Sequence, residues 1–202
     1  MRSIQFVAKT GLLRPVNNVL TVIAAGLIIY LLAMPVLPDV SWWVEHNTPF
    51  HSSKAVALPV PQADKKEDRP KDNILVIPRL SMRQQIFEGG TTATLHQGLW
   101  RRPASSTPPS GGNTVIIGHR FTYSDPAVFY HLDKVAIGDP ITVYWQQQRY
   151  DYQVVSKQVV LPADTAVERN TANPELTLYT CTPLWTSRDR LVIVARLTGH
   201  QL

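Results

Sequence analysis

The sequence predicts a mainly-β domain, a small barrel joined by short connector helices, preceded by one transmembrane helix. From Asn73 onward run seven short segments, several of them rich in β-branched and aromatic residues, bounded by Gly, Pro, Asn and Asp. Between Val19 and Val36 the chain carries no charge and almost no polar group. Between these regions, residues 38–72 are rich in Pro, Ser and charge.

Residues 1–15 form a short N-terminal segment holding Arg2, Lys9 and Arg14. Residues 16–37, VNNVLTVIAAGLIIYLLAMPVL, are the expected span, since about 20 residues of helix cross a hydrocarbon layer of about 30 Å. A cleaved signal peptide has a shorter apolar centre and a small-x-small exit. The exit here is Met34-Pro35-Val36-Leu37-Pro38, so a retained anchor is expected. The basic residues precede the span, which puts the N-terminus in the cytoplasm and everything after Pro38 outside, in a single-pass protein of the cell membrane.

Residues 38–72 read as a stalk. The stretch DKKEDRPKD at 64–72 holds four positive and four negative side chains, a composition that buries too little apolar surface to offset its ordering entropy. Trp42 and Trp43 are expected as interfacial anchors, with a fold-back over the following domain, including Phe50, left open.

The folded domain is expected at 73–202. Its strands are ILVIP at 74–78, RQQIF at 83–87, TVIIG at 114–118, ITVYW at 141–145, YDYQVV at 150–155, LTLYT at 176–180 and RLVIVARL at 190–197. Gly138-Asp139-Pro140 turns the chain into one strand, and Gln146–Gln148 forms a hairpin turn into the next. Even spacing suggests a small barrel. Connector helices are expected near 92–98, capped by Thr91 or Thr92, and near 126–132, capped by Ser124 with Pro126 in the first turn.

The formal net charge is +5, of which Arg2, Lys9 and Arg14 supply three. No basic face with interleaved aromatics remains, so nucleic acid is not an expected partner, and Arg101-Arg102 reads as a solvated loop. The single cysteine excludes an intramolecular disulfide and a multi-cysteine metal site. The acidic residues are scattered, so neither a metal nor another cofactor is expected.

Cys181 ends the strand LTLYTC, and Thr182-Pro183 then stops the ladder. A strand end facing a loop suits a fixed yet accessible nucleophile, and the thiolate needs a cationic neighbour or a base. Of the six histidines, His119 ends another strand directly after Gly118, whose missing side chain lets a loop or substrate approach. His46 and His51 lie in the stalk, His200 in the tail, and His96 and His131 on the connector helices. Arg190 opens the last strand nine positions after the cysteine (190 − 181 = 9). Its guanidinium offers forked donors to a developing oxyanion, and its fixed strand position favours it over Arg188. Leu184 and Trp185, in the intervening loop, are candidates for apolar substrate contact, and Trp185 is equally suited to the core.

These residues resemble the sortase family. TLYTC at 177–181 is similar to the family's TLxTC signature, NTVIIGHR at 113–120 to its histidine strand, and Arg190 before LVIV to the arginine of its final strand. IPRLSMRQQIFEGG at 77–90 also resembles the family's opening strand pair, and the likeness covers about residues 73–197. The resemblance implies a closed eight-stranded barrel and a two-step acyl transfer. Cys181 would attack the Thr–Gly bond of an LPXTG-like sorting signal on a surface protein, and His119 would protonate the leaving amine. Arg190 would hold the substrate oxygen. The acceptor would be an amine of a peptidoglycan precursor or of a lysine in a protein subunit.

The histidine strand, HLDKVAIGDPITV at 131–143 and the nine-residue spacing after CTP resemble the pilin-polymerising class. The sequence departs from that class in having no second apolar span after Leu197 and no Asp-Pro-aromatic motif, Thr48-Pro49-Phe50 being nearest, so the class is left open. Two rival readings are a cysteine hydrolase with water as acceptor and a non-catalytic, surface-anchored binding module.

Overall fold

The structure is a computed structural model and describes residues 10–34, 36–47, 69–121, 127–184 and 186–201. The chain divides into two units between Lys65 and Lys66.

In the first unit, helix α1 runs Thr10–Ala33. Its stretch Pro15–Ala33, 19 residues, is long and apolar enough to cross a membrane, spanning about 28 Å at 1.5 Å per residue. The helix stops four residues before the expected end at 37, because Met34 turns the chain and helix α2, Leu37–Asn47, begins. Part of the expected stalk is therefore helical. The segment LPDVSWWVEHN carries an acidic residue, Asp39, in its first turn, where the helix dipole favours it, and the charge run that argued for a stalk lies later, at 64–72. Trp42 and Trp43 sit on α2, Trp43 exposed. Phe50 and the Thr48-Pro49-Phe50 motif lie outside the described residues.

The second unit is a closed barrel of eight strands: β1 Ile74–Ile77, β2 Met82–Glu88, β3 Leu99–Arg101, β4 Asn113–Ile117, β5 Pro140–Trp145, β6 Gln148–Val160, β7 Glu175–Thr182 and β8 Asp189–Gln201. The order around the barrel is β1-β2-β3-β4-β7-β8-β6-β5, and β5 pairs with β1 to close it. The β2–β3 and β4–β7 pairs are parallel and the rest antiparallel. Leu75 and Ile77 of β1, Leu99 of β3, Ile116 of β4, Ile141 and Val143 of β5, Leu176 and Leu178 of β7 and Ile193 of β8 are fully buried in one core. All five residues of β4 are buried, as fits an uninterrupted NTVII run in a parallel pair covered on both faces.

The seven expected strands form, and β3 is the eighth. The hairpin turn falls at Gln146 and Gln147, with φ of 50° and 65°, the conformation of a type I′ turn. At the β5 entrance Gly138 takes φ 92°, and the Asp139 carboxylate accepts from the Ala136 N–H and from Arg79 Nε. The connector expected near 92–98 is a 3-10 helix, Thr92–His96, preceded by Thr91, which makes no side-chain cap. The one expected near 126–132 is a turn leading into a 3-10 helix at Leu132–Lys134; Ser124 and Pro126 lie outside the described residues. Arg101 and Arg102 are not a solvated loop. Arg101 belongs to β3 and pairs with Glu88 at 2.6 Å, and Arg102 pairs with Glu168 at 3.0 Å.

Candidate active site

Strand register brings the three expected chemical residues to one end of the barrel. The parallel pairing of β4 with β7 sets Ile117 opposite Tyr179. Two residues further along each chain (117 + 2 = 119, 179 + 2 = 181) stand His119, just past the end of β4, and Cys181, near the end of β7. On the other side of β7, the antiparallel pairing with β8 sets Cys181 directly opposite Arg190, so their side chains share one face of the sheet. Cys181 is half-buried and is a free thiol.

His119 is held by its main chain: its carbonyl accepts from the Phe129 N–H at 3.0 Å. Gly118 permits this closeness, because a Cβ there would meet Phe129 Cδ2 at 2.7 Å and Leu99 Cδ2 at 2.9 Å. The approaching group is thus a buried aromatic of the following loop. The His119 ring faces that of His96, 5.7 Å away between centroids. Burial, and secondarily the charge of His96, hold the His119 pKa below the ordinary value of 6.5, because both disfavour the imidazolium.

Arg190 is half-buried and donates from Nη1 to the carbonyls of Ser187 and Asp189 at 3.1 and 3.0 Å. Among the described residues its hydrogen bonds leave from Nη1, so Nε and Nη2 face no protein acceptor there. Arg188 is exposed in the loop. Leu184 is half-buried in the turn after β7, and Trp185 lies outside the described residues.

Around this cluster the structure adds residues that sequence reasoning missed. Tyr179 donates to Glu168 Oε1, and Glu168 Oε2 accepts from Arg102 Nε and Nη2 at 3.1 and 3.0 Å. Burial first, then the Glu168 hydrogen bond and charge, raise the Tyr179 phenol well above its usual range, so it remains a donor. Tyr179 alternates onto the same face as Cys181. The 3-10 helix Thr165–Glu168, in the β6–β7 connection, is therefore tied to the sheet beside the thiol. Arg120, next to His119, donates from Nη1 to Thr182 Oγ1 at 2.7 Å and pairs through Nη2 with Asp133 at 3.0 Å. The only available signal was adjacency, Arg120 to His119 and Thr182 to Cys181. Among the described residues no group of three or more His, Cys, Asp or Glu could hold a metal ion.

The family profile of the Sortase domain matches residues 75–198. The chain belongs to the sortase family. Sortases are cysteine transpeptidases. Among curated sortases, the chain is 28% identical over 147 residues to Sortase SrtE1 of Streptomyces coelicolor, covering 63% of this chain and 40% of that protein. It is 28% identical over 120 residues to Sortase D of Bacillus subtilis, covering 59% and 58%. The alignments thus span less than two thirds of these relatives. Among solved structures, sortase A from Corynebacterium diphtheriae superimposes with TM-score 0.58 at 32% identity, covering 66% of this chain and 63% of that one. These relatives carry differently lettered class names, which leaves the sortase class open.

Proposed function

We propose that this sortase is a membrane-anchored transpeptidase that cleaves an LPXTG-like sorting signal between Thr and Gly and passes the acyl group to an amine. The observation that supports this most strongly is the β4–β7–β8 register, in which His119, Cys181 and Arg190 occupy adjacent strand ends. In the first step the Cys181 thiolate attacks the Thr carbonyl carbon, and Nε and Nη2 of Arg190 stabilise the oxyanion. The C–N bond to Gly breaks, and the His119 imidazolium gives its proton to the leaving amine. In the second step the acceptor amine attacks the thioester carbon and loses a proton to His119, and the C–S bond breaks to restore the thiolate. Burial and His96 lower the His119 pKa, so the thiolate–imidazolium pair that the family's mechanism uses is a minority form at neutral pH.

In this reading residues 1–15 are cytoplasmic, residues 16–37 hold the protein in the cell membrane and residues 73–202 act outside. The 19-residue apolar helix supports the anchor. The donors are surface proteins bearing the signal, the acceptor is an amine of a peptidoglycan precursor or of a protein lysine, and Leu184 and Trp185 contact the signal's apolar side chains.

The full chain in detergent micelles, incubated with LPXTG-type peptides and a glycine or lysine amine, tests this by mass spectrometry beside Cys181→Ala. The expected result is an amine-transfer product that vanishes in the variant. Release of hydrolysed peptide alone would make water the acceptor, and intact peptides throughout would overturn the proposal.

A further inference from the structure

The exits of β4 and β7 are fastened together on both sides of the His119–Cys181 pair. On the barrel side, Thr180 Oγ1 donates to the Gly118 carbonyl at 2.8 Å, and Thr180 is buried. On the loop side, Arg120 Nη1 donates to Thr182 Oγ1 at 2.7 Å. The first bond joins the residues immediately before His119 and Cys181, and the second joins those immediately after. The chemical pair lies between two crossbars of a ladder.

The outer crossbar is anchored at further points. Arg120 Nε donates to the Tyr130 carbonyl at 3.3 Å, and Nη2 pairs with Asp133 Oδ1 at 3.0 Å. The Arg120 side chain is only 10% exposed. Asp133 is steadied from behind, since Lys157 Nζ on β6 donates to the carbonyls of Asp133 and Val135. A planar guanidinium with five fixed donors suits such a junction, where a lysine ammonium would not reach all three acceptors in one geometry. Surface stabilisation would require none of this convergence. Two of the three acceptors, Thr182 and Tyr130, adjoin Cys181 and the Phe129 that binds the His119 carbonyl.

We propose that Arg120 is a positioning residue that, through Thr182 Oγ1, fixes the approach of the His119 ring to the Cys181 sulfur. The inference deepens the transpeptidase reading and rests on it for its kinetic part. Loss of the outer crossbar leaves the β4–β7 pairing in place but lets the two exits separate. A displacement of about 1 Å at a reacting pair costs about 100-fold in rate, so the loss falls on kcat, while KM for the peptide stays near its original value.

The test uses the full chain in detergent and four variants: Arg120→Lys, Thr182→Val, Thr182→Ser and their reference Cys181→Ala. Thr182→Val keeps the shape and removes the acceptor, whereas Thr182→Ser keeps the hydroxyl. The expected result is a kcat loss of about 10- to 100-fold in Arg120→Lys and Thr182→Val, unchanged KM, and activity retained in Thr182→Ser. Alkylation of Cys181 by a small thiol reagent slows in the same two variants. Should Arg120→Lys not fold, the Thr182 pair carries the comparison alone. Equal kcat in Thr182→Val and wild type, or equal loss in Thr182→Val and Thr182→Ser, would overturn the proposal. If the wild type transfers no peptide, the transpeptidase reading fails, and the alkylation rates still decide the role of Arg120.

Discussion

His96 and His119 stand ring to ring at 5.7 Å, and their proximity has a measurable sign. The folded protein holds the His119 pKa below 6.5, whereas the unfolded chain titrates near 6.5. Below that pH the unfolded state binds the extra proton, so His119 contributes stability that is complete above pH 6.5 and is lost as pH falls through the folded pKa. His96→Gln removes the charge contribution and leaves burial. The NMR titration midpoint of His119 is expected to rise in this variant yet remain below the ordinary value, with a smaller loss of stability on mild acidification. An unmoved midpoint would assign the whole shift to burial. The placement of Cys181, His119 and Arg190 at neighbouring strand ends was legible in the sequence because each stands at a strand boundary near a Gly, a Pro or a turn. The role of Arg120 was not, since Thr182 meets it only after β4 and β7 have paired, and Tyr130 and Asp133 only after the following segment has turned back.

The strands were legible where apolar, β-branched or aromatic residues recurred over about five positions between turn residues, and hidden where a strand was too short to show a pattern. β3 is only Leu-Trp-Arg, too brief for any periodicity, and exists because β2 and β4 pair with it on either side. β6 runs to Val160, well beyond the apolar YDYQVV, because β8 supplies hydrogen-bond partners along its length. The Gln146-Gln147 turn shows the opposite balance, a required conformation filled by ill-suited residues. Both take positive φ, where a side chain costs about 1–2 kcal/mol per residue. The turn is retained by main-chain links, with Asn73 Oδ1 accepting from the Gln146 N–H and Arg69 donating to the Gln147 carbonyl. Since neither link uses a glutamine side chain, Gln147→Gly is expected to stabilise the barrel by about 1 kcal/mol and raise its thermal midpoint by about 3 °C. A lowered midpoint in calorimetry would show that the Gln147 side chain contributes more than its strain.

For the barrel as a whole, closure depends on β1, which pairs with both β2 and β5 and delivers Leu75 and Ile77 to the core. A chain beginning at residue 66 is expected to show a β-rich circular dichroism spectrum and one cooperative thermal transition. A chain beginning at residue 78 loses that strand, exposes two unpaired edges and is expected to remain unfolded or aggregate. Equal transitions in the two fragments would show that β5 and β2 can close the barrel without it.

The parallel β4–β7 pairing has a temporal side. It joins residues 62 positions apart (181 − 119 = 62), and the guanidinium opposite the sulfur arrives only with β8, the last strand of the chain. Contacts of such long sequence separation form late in folding. A growing or half-folded chain therefore holds Cys181 with neither neighbour beside it, and the three residues come together only when the molecule is finished. The meeting of His119, Cys181 and Arg190 is thus a built-in mark of completed assembly.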